Sequence, residues 1–196
     1  MNKKTDSMKR IAVFASGNGS NAQAIAEYFN KGNEARIIVI LSNRKDAFVI
    51  QRAADLSIPA IVFNRSEFYD TDKITNYLIE QKIDLVVLAG FLWLLPPSLV
   101  KAFPNRIINI HPALLPKFGG KGMYGNFVHE AVVESGDTES GITIHYVNEC
   151  YDEGQIIFQA HCKVDHSDTA DSLAAKIHEL EYAHFPRVID EVLKTF

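Results

Sequence analysis

The stretch Arg106-Ile107-Ile108-Asn109-Ile110-His111-Pro112-Ala113-Leu114-Leu115-Pro116-Lys117 decides how the rest of the chain is read. Its first half is an apolar run broken by Asn109 and closed by His111, the pattern of a buried strand that carries two polar side chains near its carboxyl end. Pro112 cannot continue a hydrogen-bonded ladder and Pro116 cannot sit in a central strand, so the chain leaves the sheet just after the histidine. Side chains alternate along a strand, and Asn109 and His111 therefore share a face. In an open α/β sheet, ligands bind at the carboxyl ends of the strands. An amide and an imidazole brought there are either two buried groups satisfied by backbone or the start of a site.

The flanking sequence repeats the strand-then-helix order. Arg10-Ile11-Ala12-Val13-Phe14-Ala15 is an apolar run that turns into Ser16-Gly17-Asn18-Gly19-Ser20-Asn21, and a helical pattern with Ala22, Ile25, Ala26 and Phe29 follows. Strand, glycine turn and helix in that order aim free backbone N–H groups at an anion. Gly17, Gly19 and Ala22 also fit the spacing of a dinucleotide fingerprint, but the second strand, 35–41, closes in Ser42-Asn43-Arg44 without the acidic residue that holds a ribose. Arg44 keeps an NADP reading open, through a ribose phosphate. A helix over 48–56, a strand over 60–63, a helix over 69–82 with Ile74, Leu78 and Ile79 on one face, and the strand 84–89 continue the alternation. Together they predict a doubly wound, mostly parallel sheet flanked by helices. The run Gly90-Phe91-Leu92-Trp93-Leu94-Leu95-Pro96-Pro97 reads equally as core or as the wall of a pocket for a flat ring.

Beyond the central motif, 117–125 holds four glycines and reads as a mobile loop. A helix over 126–134 follows, with Phe127, Val128, Ala131 and Val132 inward. Residues 141–147 alternate as a strand, with Ile142, Ile144 and Tyr146 on one face and Thr143, His145 and Val147 on the other. The connection 148–154 carries Glu149, Asp152 and Glu153 to another strand, 155–164. A last helix starts near Asp168-Thr169, with a predicted buried stripe of Leu173, Ile177, Leu180, His184, Val188 and Val192. Glu181 falls at the border of that stripe, as a rim charge or a ligand-facing group, and Pro186 is expected to kink or divide the helix.

Composition narrows the function classes. At 196 residues and 47% hydrophobic, the chain has enough apolar sequence for one core without staples, so residues 8–196 read as a single domain after a disordered 1–7 lead-in. A net charge of −4 and no basic run argue against a nucleic-acid partner. Cys150 and Cys162 lack the paired spacing of a zinc site and suit free thiols in a reducing cytoplasm. No apolar stretch is long enough to span a membrane, and the first residues lack a signal peptide's apolar region.

Three stretches taken together resemble the phosphoribosylglycinamide formyltransferases, folate-dependent enzymes of purine synthesis: Ser16 to Asn21, Leu88-Ala89-Gly90-Phe91, and Ile108 to Lys117. The likeness extends through 141–154 into the last helix. The resemblance implies a Rossmann-like formyltransferase fold and catalysis by Asn109, His111 and Asp152. It implies that Gly19, Ser20 and Asn21 take the nucleotide phosphate and Glu181 the ribose. The co-substrate 10-formyltetrahydrofolate would lie against Leu92, Trp93, Leu94 and Leu95, with Asn109 at its reactive end. Val147, Asn148, Glu149, Cys150, Tyr151 and Asp152 would close over its pterin. The chain departs from the family at Trp93, where many relatives have arginine, at Tyr151, where leucine is common, and after Lys117, where it lacks the usual Tyr-Pro-Gly and histidine-rich run.

The chemistry implied suits those residue types. An amine attacks a formyl carbon, charge develops on the formyl oxygen, and a proton leaves the attacking nitrogen. Asn109 can donate to that oxygen, His111 in its protonated form can stabilise the same charge and pass a proton to the departing nitrogen, and Asp152 would hold the imidazolium and raise its pKa. No metal is required, and the partners are small molecules bound by a monomer or homodimer. Methionyl-tRNA formyltransferase and formyltetrahydrofolate deformylase share the central motif, but they normally carry a further domain for which 196 residues leave no room. A nucleotide-sensing module using the glycine turn alone would have no use for the catalytic set.

Overall fold

The computed structural model describes residues 8–32 and 34–196, so the expected lead-in at 1–7 lies outside the described residues. Among the described residues, seven strands form one sheet: β1 (Lys9–Phe14), β2 (Ala35–Ser42), β3 (Ala60–Val62), β4 (Leu85–Leu88), β5 (Ile107–His111), β6 (Glu139–Tyr146) and β7 (Ile156–Lys163). Their spatial order is β3-β2-β1-β4-β5-β6-β7. The first five strands pair in parallel, while β6 runs antiparallel to β5, and β7 to β6. The helices are α1 (Ser20–Phe29), α2 (Phe48–Asp55), α3 (Arg65–Tyr69), α4 (Lys73–Glu80), α5 (Pro97–Ala102), α6 (Asn126–Ser135) and α7 (Ala170–Leu193).

Alternation along the central strands feeds two cores. Ile11 and Val13 of β1, with Leu85 and Val87 of β4, face a core closed by α1, α2 and α7. Ala12, Phe14, Val86 and Leu88 face the other, closed by α3, α4 and α5 through Phe68, Leu78 and Leu99. Burial on both faces is why these strands read as unbroken apolar runs. Phe14 is fully buried and meets the rings of Phe63, Phe68 and Phe91, so truncating it to alanine is expected to cost about 3–5 kcal/mol.

The chain winds outward from β1 to β3 in one direction and from β4 to β5 in the other. The carboxyl ends of β1 and β4 therefore flank the point where strand order reverses, the place where α/β sheets open a crevice. The two ends are tied together: the Ser16 N–H donates to the Gly90 carbonyl at 3.0 Å, and the Leu92 N–H to Ser16 Oγ at 3.0 Å.

Several sequence expectations are corrected. The helix expected over 69–82 begins only at Lys73, as α4, and a separate short α3 precedes it, started by Asn64 and Glu67, whose side chains cap each other's backbone. Ile79 is 53% exposed and Phe127 56% exposed, so neither belongs to a buried face. Pro97 at the start of α5 is a helix-start signal that the sequence reading passed over. In α7 the buried stripe runs through Leu173, Ile177, Glu181, Phe185, Val188 and Val192, displaced from the expected Leu180 and His184. Pro186 lies inside α7 without dividing it; the carbonyl deprived of its donor belongs to Tyr182, an exposed residue.

Candidate active site

Asn109 and His111 stand on one face at the end of β5, and the antiparallel register of β6 sets His145 directly opposite Asn109. His145 Nδ1 lies 2.8 Å from the Tyr146 carbonyl, which only accepts, so this nitrogen carries the proton. The bare Nε2 then accepts from Asn109 Nδ2 at 3.1 Å. Asn109 Nδ2 also donates toward Asp152 Oδ1 at 3.5 Å, a looser contact that leaves this second N–H open to a better acceptor.

Asp152 comes from the turn after β6, where its φ is +56°. One oxygen, Oδ2, accepts from the Gly120 N–H at 3.0 Å and lies 3.5 Å from His111 Nδ1; the other, Oδ1, lies 3.6 Å from His145 Nε2. Burial drives the Asp152 carboxyl up, but the contacts at its two oxygens, the Gly120 N–H among them, outweigh it and hold the group below its ordinary value. His111 Nε2 donates to the Phe118 carbonyl at 2.8 Å, which fixes the neutral tautomer and leaves Nδ1 as a bare acceptor facing Asp152. A proton arriving there would sit between imidazole and carboxylate. The pKa expectation for His111 is corrected: burial lowers it below the ordinary 6.5, and the upward pull of Asp152 and Phe118 does not offset this. The resting His111 is neutral at pH 7.

The exit of the chain from β5 is pinned by residues that the sequence reading left without a role. Thr143 Oγ1 accepts from the Leu115 N–H at 2.9 Å and donates to the Ala113 carbonyl at 2.7 Å, while Gln159 Nε2 donates to the Leu115 carbonyl at 3.1 Å. Thr143 and His145, two residues apart on β6, mirror the Asn109 and His111 spacing on β5. That repeated spacing was the signal that could have found His145.

At the other end, the glycine turn closes β1 and opens α1. Gly19 has φ +77°, and a Cβ there would lie 2.3 Å from Val49 Cγ2, so only glycine fits. Asn21 Nδ2 donates to Glu181 Oε2 at 2.9 Å, a contact spanning 160 residues, while Asn21 Oδ1 is buried without a partner. Glu181 is only 6% exposed, which resolves its two sequence readings in favour of the interior. Burial pushes its carboxyl up to about 7 against the opposing Asn21 hydrogen bond.

One cavity of about 600 Å³ joins both ends, lined by Gly19, Ser20, Asn21 and Glu181 together with Asn109, His111 and Asp152. Leu92 and Tyr151 line it as well, as do Lys121, Tyr124, His129 and His178, which had no expected role. Trp93, Leu94, Leu95, Val147, Asn148, Glu149 and Cys150 do not. Leu95 is core, Trp93 packs against Phe63, Phe68 and Tyr69, and Cys150 is exposed. Arg44 pairs with Asp46 at 3.0 Å on the surface and does not line the cavity, which removes the contact on which an NADP reading rested.

Residues 9–189 match the family described as formyl transferase. The chain belongs to the formyl transferase family. It is 39% identical to a phosphoribosylglycinamide formyltransferase of Haemophilus influenzae, across 93% of this chain and 86% of that protein. A Bacillus subtilis protein of the same name is 37% identical across 95% of each. Against the chloroplastic phosphoribosylglycinamide formyltransferase of Arabidopsis thaliana, 42% identical, the chain spans 65% of the relative's length. Among solved structures, the phosphoribosylglycinamide formyltransferase of Streptococcus pneumoniae superposes with a TM-score of 0.84 at 40% identity, covering 94% of this chain and 99% of that one. Glycinamide ribonucleotide transformylase 1 of Symbiobacterium toebii gives 0.90 at 33%, covering 100% and 92%. The seven-stranded, mostly parallel sheet is thus the fold of this family.

Proposed function

We propose that the chain transfers the formyl group of 10-formyltetrahydrofolate to the amino group of phosphoribosylglycinamide, giving formylglycinamide ribonucleotide and tetrahydrofolate. The observation that carries this reading is the single cavity in which an Asn-His-Asp cluster faces a glycine turn. Neither half alone would support it: a nucleotide sensor needs only the turn, and a plain buried network needs no cavity. The relatives' names identify the acceptor, and the donor follows from the reaction their family performs.

In this mechanism the turn and the α1 amino end hold the phosphate through backbone N–H groups, and Glu181 accepts from the ribose. The attacking nitrogen forms a bond to the formyl carbon while the C=O π pair moves onto oxygen. Asn109 meets that charge with its looser N–H, a contribution of roughly 3 kcal/mol for one such donor. The nitrogen's proton passes to His111 Nδ1, where Asp152 stabilises the imidazolium. The oxygen's pair then reforms the carbonyl, the bond to folate nitrogen breaks, and the imidazolium returns the proton to that nitrogen. Leu92 and Tyr151 offer cavity-facing contacts for the folate. The expected Asn109, His111 and Asp152 roles, the phosphate and ribose contacts, and action of residues 8–196 as one domain in the cytoplasm are all part of this proposal.

A single-turnover assay with both substrates tests it. Formation of formylglycinamide ribonucleotide stoichiometric with enzyme is expected. Transfer to water or to another amine, with none to the ribonucleotide, would overturn it.

A further inference from the structure

The glycine turn is held from behind by α2. The Val49 N–H donates to the Gly17 carbonyl at 3.1 Å, and Arg52 Nε to the Asn18 carbonyl at 2.9 Å. A trans peptide is planar, with C=O and N–H pointing in opposite directions. Turning the Gly17 and Asn18 carbonyls onto α2 therefore turns the N–H groups of Asn18 and Gly19 away from it, and both residues line the cavity. Neither N–H has an acceptor among the described residues. At the same turn, Asn21 Oδ1 is buried without a hydrogen-bond partner.

Arg52 does more than satisfy one carbonyl. Its Nη2 donates to Asn18 Oδ1 at 2.8 Å, its Nη1 to Gln23 Oε1 in the first turn of α1, and its guanidinium lies over the Phe48 ring, 5.0 Å from the centroid. No acidic side chain among the described residues pairs with it, so its charge stays behind the turn. Two of the three acceptors belong to Asn18 and the third to Gln23, so one guanidinium joins the turn to α1. A planar fork of donors suits that arrangement and a point charge does not.

We propose that Arg52 is the positioning residue of a phosphate cradle: its guanidinium locks the Asn18–Gly19 peptide in the orientation that leaves the Gly19 N–H free for a phosphate monoester, beside the Asn18 N–H that the Val49 contact turns the same way. This deepens the reading in which the turn receives the nucleotide phosphate, and rests on it. Arg52 touches no substrate in this scheme and acts through the turn.

The test compares full-length wild type with Arg52→Ala and Arg52→Lys. Both variants are expected to raise KM for phosphoribosylglycinamide about tenfold or more, the loss of ~1.4 kcal/mol of binding. KM for 10-formyltetrahydrofolate should hold, and kcat should fall less than about threefold. Competitive inhibition by inorganic phosphate should weaken in parallel. Recovery of wild-type KM by Arg52→Lys would show that charge alone matters and overturn the proposal. So would a lowered melting temperature with both KM values unmoved. Should Arg52→Ala melt below the assay temperature, calorimetric titration of ribose 5-phosphate into wild type and Arg52→Lys decides, weaker binding by the variant supporting the cradle and equal binding refuting it. That titration also separates this proposal from the formyl-transfer reading, since it needs no turnover.

Discussion

At the β5–β6 end of the cavity the polar atoms belong to side chains, and at the glycine turn they belong to the backbone. Asn109, His111, His145 and Asp152 orient one another through mutual contacts of 3.1 to 3.6 Å, with Phe118 and Gly120 supplying backbone partners. The turn instead gets its shape from Gly19, which alone fits against Val49, and from α2 gripping two carbonyls. The difference separates two jobs. Groups that must change protonation or meet developing charge have to be side chains, whereas a fixed dianion is held as well by N–H groups, which never titrate. Changes at the first end should therefore appear in kcat and at the second in KM.

The largest effect is expected at the side-chain end. Asn109→Ala, His111→Ala and Asp152→Asn should each lower kcat about 100-fold or more while both KM values move only a few-fold. Steady-state kinetics beside a thermal melt would check this. Residues that only support the strand would behave in the opposite way, melting several degrees lower with turnover intact at low temperature. Burial holds His111 below 6.5 in the free protein, so the limb of kcat/KM that reports its proton should lie under that pH. Asp152→Asn removes a group that raises His111 and should move the limb lower still.

At the backbone end, Gly19→Ala should raise KM for the ribonucleotide about tenfold and spare the folate. The new Cβ would meet Val49 Cγ2 at 2.3 Å at a φ of +77°. Pairing it with Val49→Ala removes the Cγ2 contact but leaves Val49 Cβ at 2.5 Å, Cα at 2.9 Å and the strained φ, so the double variant should recover only a small part of the loss. Equal effects on both substrates would erase the distinction between the two ends.

The sequence exposed these ends unequally. The glycine turn and the Asn109–His111 pair were legible because each is local: a strand, a break and a periodicity of two or 3.6 suffice. His145 was not, since its role depends on the β5–β6 register, which no single strand displays. The burial of Glu181 was hidden for another reason. A carboxylate on a buried stripe contradicts the hydrophobic pattern used to draw that stripe, and the reading shifted to Leu180 and His184. His111's proton affinity was missed because its partner Asp152 is visible in the chain, whereas the burial that prevails is not.

Glu181 bridges the two kinds of construction, a titrating side chain at the backbone end. Its folded pKa of about 7 stands above the ordinary 4.5, so across that window the folded chain keeps a proton that the unfolded chain has lost. Stability therefore falls as pH rises through the window, and above 7 the full cost of the buried charge, roughly 3 kcal/mol, is present. Glu181→Gln removes that cost and still accepts from Asn21 Nδ2, while its new amide N–H can reach the unpartnered Asn21 Oδ1. The variant should melt a few degrees above wild type at about pH 8 and nearly level with it at about pH 5. Its KM for the ribonucleotide should rise several-fold. A variant less stable than wild type at about pH 8 would mean that the carboxylate supports the fold.

The smallest effects are expected in the second glycine-rich loop, where two glycines three residues apart make opposite demands. A Cβ at Gly119 would lie 2.5 Å from Leu115 Cδ2 and 3.3 Å from Asp152 Cβ, whereas one at Gly122 would meet nothing within 4 Å. Gly119 thus makes room for Leu115 and Asp152. Gly122 is needed only for its φ of +92°, and the cost of placing alanine there, of order 1–2 kcal/mol, falls on a segment that can adjust locally. Gly119→Ala should lower kcat a few-fold by displacing Asp152, with both KM values steady. Gly122→Ala should leave kcat and both KM values within about twofold. If Gly122→Ala instead matched Gly119→Ala in kcat, the loop's own backbone conformation would belong to the catalytic end, and the separation of side-chain work from backbone work would fail there first.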